Sequence, residues 1–432
     1  MLLKFLQNFL AFLAKGIIKK QKPIVVGITG SVGKSSTKQA INFVLKENFN
    51  VRESNGNYNN EIGLPLTVIG KRSSGKNIFG WLLVFLFGFI KMFFKMKFYP
   101  KVLVLEMAAD RPGDIDYLIK IAPCQIAVLT AISASHTEFF NNIHGVIKEK
   151  QEIITHLLPE NWAILNQDDK DVASLKNKTQ GKILTYGICE ESDIRALEIE
   201  IDQEIKENRV EIRGLKFKIS YQGSVVPVFL SNVVSLAQVY SVLAAVAVGI
   251  SFEMNLLEIV QNFKNYQLLP GRLAILKGIK DTLILDDTYN SSPRALDFAL
   301  ETIKEIKIPL VSRKWAVLGD MLELGDLSQI SHFQAGEKVF LADLDFLITI
   351  GSEAKEIAKG AMEKGMLNER VFSFENSLGV IDFLKSRVKS GDFILIKGSQ
   401  GMRMEKIVKE IMAKPNLASK YLVRQSRKWL NS

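Results

Sequence analysis

The chain has 432 residues, enough for two or three domains with cores of their own, and its 47% hydrophobic and 24% charged content is that of a folded protein in water. Its two cysteines, Cys124 and Cys189, lie far apart without metal-type spacing, which excludes a disulfide framework or zinc site and points to a reducing, cytoplasmic setting. The net charge of +10 sits in three segments free of acids: five lysines in residues 1–22, seven basic residues in 71–101 and four in 415–432. Those sixteen charges leave about −6 on the remainder, so the basic balance argues against nucleic acid and for an anionic membrane surface, which places the protein on the inner face of the plasma membrane.

Residues 1–18 read as an amphipathic helix within an N-terminal segment 1–22. Leu2, Leu3, Phe5, Leu6, Phe9, Leu10, Phe12 and Leu13 form a broad apolar face, with Lys4, Asn8, Ala11 and Lys15 opposite. A secretory signal does not fit, because an apolar strand at 24–28 follows at once. From there to about 166, strands at 24–28, 102–106, 126–130 and 163–166 alternate with helical stretches, the pattern of a doubly wound, mostly parallel sheet. Within this run residues 78–99 stand apart: twelve consecutive apolar or glycine residues precede Lys91, Lys95 and Lys97. A buried helix, an interfacial helix among lipid headgroups and a membrane span are all open readings, although twelve falls short of the ~20 a span requires. Residues 194–230 carry short alternating strands at 210–212, 216–219 and 225–229, which suggest a small antiparallel annex, and a helix is expected over 233–248. Pro270 and Gly271 mark a boundary, after which strands at 282–285, 315–318, 346–350 and 393–396 again alternate with helices. The expected architecture is therefore α/β: a P-loop-containing doubly wound central domain over 23–269 with an annex, then a Rossmann-like α/β domain over 270–432.

The stretch Gly27-Ile-Thr-Gly-Ser-Val-Gly-Lys-Ser-Ser36 lies between a strand and the start of a helix. Backbone N–H groups of such a loop, around Thr29, Gly30, Ser31, Gly33 and Ser36, aim at phosphate oxygens. Lys34 is placed for the β and γ phosphates of ATP, and the Ser35 hydroxyl for Mg2+. Ile28 stands where the general pattern has its first glycine, so the shorter form Thr-Gly-x-x-Gly-Lys-Ser is the one present. A phosphate loop alone does not separate a motor, a kinase and a ligase.

Further stretches do. Gly56-Asn-Tyr-Asn-Asn-Glu-Ile-Gly-Leu-Pro-Leu-Thr67, Leu105-Glu-Met-Ala-Ala-Asp-Arg-Pro-Gly-Asp114, Ser135-His-Thr-Glu138, residues 148–153, Leu269-Pro-Gly-Arg272, Asp286-Asp-Thr-Tyr-Asn-Ser-Ser-Pro293, Val317-Leu-Gly-Asp-Met-Leu-Glu-Leu-Gly325 and Lys397-Gly-Ser-Gln-Gly-Met402 follow the phosphate loop in order. With them the sequence resembles the Mur ligase family, nearest the members that add D-alanyl-D-alanine to UDP-N-acetylmuramoyl-tripeptide. The resemblance implies that Glu106 and His136 hold magnesium and that Lys150 carries a carbamate able to orient it. It also implies that Asn59 and Asn60 lie near the phosphates and that Arg272 and Asp287 reach the nucleotide from the C-terminal domain. Carbamylation needs a neutral amine, hence burial or a cationic neighbour. The implied reaction is phosphorylation of a muramoyl-peptide carboxylate by ATP, then attack of D-alanyl-D-alanine on the acyl phosphate, with closure of the C-terminal domain excluding water. Lys397, Ser399 and residues 319–323 are expected near the amine, and His332 is expected to be structural or exposed.

Two departures qualify this. Only the amphipathic helix precedes the phosphate loop where the family has a domain for the uridine nucleotide, which suggests a lipid-linked or shortened carboxylate substrate. The helix after the annex reads Ala237-Gln-Val-Tyr-Ser241 where relatives have His-Asn-x-x-Asn; Gln238 retains a donor and an acceptor for adenine. A folylpolyglutamate-type ligase and a non-catalytic, membrane-docked nucleotide scaffold are the competing readings.

Overall fold

The computed structural model describes residues 2–56, 58–133, 140, 142–207, 209–426 and 429. His136 and its neighbours in the Ser-His-Thr-Glu stretch lie outside the described residues, as do Arg427 and Lys428 of the basic tail.

In chain order the first half runs α1 (Leu2–Gln21), β1 (Ile24–Thr29), α2 (Lys34–Leu45), β2 (Val51–Glu53), α3 (Gly63–Ile69), α4 (Ile78–Phe93), β3 (Val102–Glu106), α5 (Asp114–Ile121), β4 (Ile126–Leu129), α6 (Ile143–Thr155), β5 (Trp162–Asn166), α7 (Lys170–Ala173) and β6 (Lys182–Gly187). Then follow β7 (Ile194–Lys206), β8 (Arg209–Tyr221), β9 (Ser224–Ser231), α8 (Ala237–Ser251) and α9 (Leu256–Asn262). The strands form one nine-stranded sheet in the order β2-β3-β1-β4-β5-β6-β7-β8-β9, parallel through β6. β1, β3 and β4 are almost wholly buried, as strands covered on both faces must be. One face packs on α2, α8 and α9, the other on α1, α3, α5 and α6. Strands β7–β9, antiparallel to one another, continue this sheet, and β7 joins β6 in parallel through only two residue pairs, Tyr186 with Ile194 and Gly187 with Arg195.

The second sheet is built from β10 (Ala274–Lys277), β11 (Leu283–Asp287), β12 (Lys314–Gly319), β13 (Phe346–Ile350), β14 (Val371–Phe374) and β15 (Phe393–Lys397), with α10 (Pro293–Glu305), α11 (Ser328–Leu341), α12 (Lys355–Lys364), α13 (Ser377–Arg387), α14 (Glu405–Ile411) and α15 (Ala418–Tyr421) around it. Its order is β10-β11-β15-β12-β13-β14, with only β10 antiparallel.

Two helices differ from their sequence reading. α1 buries Leu10, Leu13, Ala14 and Ile17, the i, i+3, i+4, i+7 stripe, and Ala11 lies beside it rather than on the polar face. Side-chain bulk alone had drawn the apolar face too wide, and Leu3, Phe5 and Phe12 point outward. α4 is capped by Asn77, whose Oδ1 accepts from Gly80 N at 3.1 Å, and it lies along α1 through Phe9–Phe85 and Gly88 against Leu13. Of its sixteen residues only Val84 and Gly88 are buried, so the buried-helix reading of 78–99 is overturned. Among the described residues no helix is long and apolar enough to cross a membrane.

Candidate active site

The loop after β1 takes its shape from two glycines. Gly30 (φ +146°) and Gly33 (φ +90°) occupy backbone conformations that L side chains rarely adopt, and a Cβ at Gly30 would overlap Thr130 Oγ1 at the end of β4. Thr130 Oγ1 in turn donates to Val32 O at 2.7 Å, and Ser31 N donates to Ala131 O at 2.6 Å, fastening the loop to the neighbouring strand. The Thr29 hydroxyl is turned inward to Met107 O at 2.7 Å, so its side chain shapes the loop instead of facing a ligand. Lys34 Nζ folds back on its own loop, 2.7 Å from Gly30 O and 3.3 Å from Ser31 O.

Glu106, the last residue of β3, is the hub. Ser35 Oγ donates to Oε2 at 3.0 Å, Asn59 Nδ2 to Oε1 at 3.2 Å, and Lys38 Nζ lies 3.4 Å away. Burial pushes this carboxyl up, but Lys38, Lys34 and the bonds from Asn59 and Ser35 together outweigh it and hold the group below the usual carboxylate range. Asn60 does something different: its Oδ1 accepts from Ile62 N and Gly63 N at the start of α3. Of the two asparagines, Asn59 is the one brought to the carboxylate.

Lys150, on α6, is 3% exposed. Burial first, then the charge of Lys34, lowers its amine to about 7, against the opposing fields of Glu149 and Asp110. Lys34 is lowered by burial too, countered by Glu106 and Asp110 and reinforced by Arg272. Lys34, Glu106, Asp110, Lys150 and Arg272 thus act within one electrostatic neighbourhood. Glu149 accepts from Gly113 N and Ile115 N, both at 2.7 Å, and so fixes the start of α5 next to Asp110 and Arg111.

The second sheet closes the site from the other side. A cleft is lined by Gly33 and Ser36 of the loop, by Gln238 and Ser241 of α8, and by Arg272, Asp287 and Lys397. Arg272 stacks its guanidinium 3.9 Å from the Tyr289 ring, and its Nε is buried without a hydrogen-bond partner. Asp287 and Lys397, at the ends of adjacent parallel strands, form a buried ion pair at 2.6 Å. Gln238 spends both ends of its amide on protein: Nε2 donates to Ser36 Oγ at 3.2 Å, and Tyr266 OH donates to Oε1 at 3.0 Å. A second cleft, lined by Asn60, Glu61, Asp110, Arg111, Asp114 and Glu323, also joins the two sheets.

The Mur ligase middle domain matches residues 28–79 and 86–249, and the Mur ligase glutamate ligase domain matches 271–400. The chain belongs to the Mur ligase family. A UDP-N-acetylmuramoyl-tripeptide–D-alanyl-D-alanine ligase of Bacillus subtilis is 29% identical over 403 residues, 93% of this chain and 79% of that protein. The MurF ligase of Thermotoga maritima, solved in complex with ADP, superposes with a TM-score of 0.76 at 28% identity, covering 94% of this chain and 83% of that one. Escherichia coli FolC in complex with ADP shares the fold, with a TM-score of 0.61 at 15% identity over 93% and 92% of the two chains.

Mur ligases use ATP, and the fit of magnesium to this member can be judged from its own donors. Ser35 and Glu106 offer hard oxygens at the loop, while no group of three or more His, Cys, Asp or Glu side chains converges among the described residues. That donor set suits Mg2+, which keeps waters and phosphate oxygens in its shell in preference to an all-protein cage. The sequence reading missed Lys38 and Asp110, and it put Lys397 with the amine although it lines the cleft beside the phosphate loop. A signal for Lys38 existed: it follows Lys34 by one helical turn and so faces the same end of β3. Ser399 accepts from Leu322 N at 2.8 Å and serves to hold the 319–323 loop. His332 is fully buried, with Nε2 accepting from Met321 N at 2.9 Å and Nδ1 on Ser328 O at 2.8 Å, a structural role on that same loop.

Proposed function

We propose that this chain is an ATP-dependent, ADP-forming carboxylate–amine ligase of the MurF type, joining D-alanyl-D-alanine to a muramoyl-peptide in peptidoglycan precursor synthesis. In this reading residues 23–269 hold the nucleotide and the carboxylate, and 270–432 supply the amine side. One observation carries it: a phosphate loop, a carboxylate poised at the end of β3 and a buried amine near neutrality lie together, facing an arginine with an unused donor on the second sheet. A scaffold that only held a nucleotide would have no use for the buried amine.

The loop amides and Lys34 bind the triphosphate; Lys34 leaves its two carbonyl partners when phosphate oxygens arrive. Bound Mg2+ would supply charge neutralisation across the phosphates, with Ser35, Glu106, His136 and Lys150, as its carbamate, the residues to hold it. Arg272 and the Asp287–Lys397 pair hold the nucleotide from the second sheet. A substrate carboxylate oxygen attacks the γ-phosphorus and ADP departs. The neutral amine of the second substrate then attacks the acyl carbon, loses its proton and expels inorganic phosphate. Closure of the cleft keeps water from the acyl phosphate. The same reading places the work at an anionic membrane surface, on the inner face of the plasma membrane.

ADP formation from ATP tests the chemistry, with UDP-N-acetylmuramoyl-tripeptide and D-alanyl-D-alanine each supplied and omitted in turn. Release that requires both is the expected result. A chain that binds ATP yet forms no ADP with D-alanyl-D-alanine and either the UDP-linked or a lipid-linked muramoyl-tripeptide overturns the reading.

A further inference from the structure

α1 and α4 lie side by side in the same direction, with Phe9 against Phe85 at 4.9 Å, Leu13 against Gly88, and Gln21 Nε2 donating to the carbonyls of Lys91 and Phe94 at 2.5 and 2.7 Å. α1 enters the core through its buried stripe, whereas α4 rests on α1 and turns almost everything it has to the outside. Along the two helices and the turn that follows, eleven large apolar side chains are more than half exposed, among them Phe5, Phe12, Phe79, Leu86, Phe93 and Phe98. At roughly 200 Å² for a large side chain, that face presents on the order of 1,000 Å² of apolar surface. The largest apolar patch on an ordinary monomer is about 300–600 Å².

The charges around the face identify what covers it. Residues 1–22 and 71–101 together hold twelve lysines and arginines and no aspartate or glutamate. Lys71 lays its ammonium 3.5 Å from the Phe87 ring, its stem along the apolar surface, while Lys91 turns inward to Ile69 O at 2.5 Å. Lys4, Lys15, Lys19, Lys20, Lys95 and Lys97 stand exposed beside it. A second copy of this chain would set twelve cations against twelve. At sixteen residues α4 is about 24 Å long, short of the ~30 Å hydrocarbon layer, so it has the length to lie in a bilayer surface and not to cross it.

We infer that α1 and α4 form a paired interfacial anchor that docks the enzyme on an anionic lipid bilayer, with the exposed face of α4 among the acyl chains and the lysines at the headgroups. The anchor deepens the membrane location proposed above and is independent of the ligation chemistry. It joins the site through the segment between α3 and α4, where Ser73 N donates to Tyr58 OH at 2.9 Å, one residue from Asn59.

Flotation of the full chain with phosphatidylcholine vesicles, with and without about a third phosphatidylglycerol, decides the matter. The wild type rises with the anionic vesicles and roughly tenfold less with the neutral ones. The double substitution Phe79→Glu, Leu86→Glu abolishes flotation with both, and Lys95→Glu, Lys97→Glu narrows the difference between anionic and neutral vesicles. Unfolding curves of both variants stay like the wild type, because all four side chains are exposed. Wild type left at the bottom of the gradient overturns the anchor, as does equal flotation of the Phe79, Leu86 variant. A dimer in sedimentation that the same variant dissolves reassigns the face to a second copy. Wild type that floats but forms no ADP leaves the anchor standing and removes only the ligase reading.

Discussion

Glu106 owes its ionised state to neighbours that arrive from far away in sequence: Lys38 from α2, Asn59 from the loop before α3, and Ser35 from the phosphate loop. Because Lys38 and Glu106 are both almost fully buried, Glu106→Gln leaves the Lys38 ammonium its bond to Gly56 O but no carboxylate, and is expected to cost roughly 3 kcal/mol in urea unfolding, with turnover lowered on the order of a hundredfold. Lys38→Met combined with Glu106→Gln restores part of that stability, and strictly additive costs would show that the pair does not couple. Asp286 gives a pH-dependent counterpart. Its Oδ2 is buried without a partner, and burial above all pushes the carboxyl up to about 7, with Asp287 and Glu405 adding to it against the hydrogen bonds from Thr288. The folded value lies above the unfolded one of about 3.9, so between the two the folded chain holds a proton the unfolded chain has released. Stability falls as pH rises through that window, and the full penalty applies above pH 7. Asp286→Asn therefore gains on the wild type between pH 5 and pH 8, by on the order of 3 kcal/mol; an unchanged difference at the two pH values defeats the assignment. Lys34 and Ser35 were legible because a glycine-spaced loop fixes where they point, and Arg272 and Asp287 through a motif. Asp110 and the unused Oδ2 of Asp286 were not, since each depends on what is folded against it.

Elements were read best where one physical signal dominates. The buried parallel strands β1, β3, β4, β12, β13 and β15 are short β-branched runs, and sequence placed them to within about two residues at either end. β7 was missed although its signal is present: Leu197, Ile199 and Ile201 alternate with Glu198, Glu200 and Asp202, the period of a half-buried strand, and β8 pairs along it. The short strands β2, β10 and β14 have too few residues to show a period. The chain after α14 carried no motif, yet it braces the nucleotide side of the second sheet: Arg424 donates to the carbonyls of Thr288 and Tyr289 and pairs with buried Glu405 at 2.9 Å. Arg424→Ala leaves Glu405 with Arg403 alone, at an expected cost of about 2–3 kcal/mol, and frees the loop that follows Asp287. Hydrogen exchange over residues 288–291 is expected to quicken while β1 and β3 keep their protection. Exchange that quickens evenly across both sheets would mean the tail stabilises the whole fold and not this loop.

At the scale of the whole molecule the two sheets meet at two clefts, and Arg272 lines the one beside the phosphate loop. It follows the boundary between them, stacks on Tyr289 of the second sheet, and acts electrostatically on Lys34 and Lys397. Its Nε is a buried donor with no acceptor, a state that costs about 1–3 kcal/mol and that an incoming phosphate or ribose oxygen would relieve. Binding energy from that contact is available only when both sheets close on the nucleotide, so Arg272 should report closure as well as affinity. Arg272→Ala is expected to weaken binding of a non-hydrolysable ATP analogue by ten- to a hundredfold, about 1.4–2.8 kcal/mol. Arg272→Lys recovers little of it, since a compact ammonium lacks both the planar fork and the stacking surface over Tyr289. The analogue is expected to decrease the radius of gyration of the wild type in solution scattering, and the same variants to blunt that decrease in step with the loss of affinity. Full compaction in Arg272→Ala at saturating analogue would show that the sheets close without this residue, and would move the closing contact to the Asp287–Lys397 pair, which lines the same cleft.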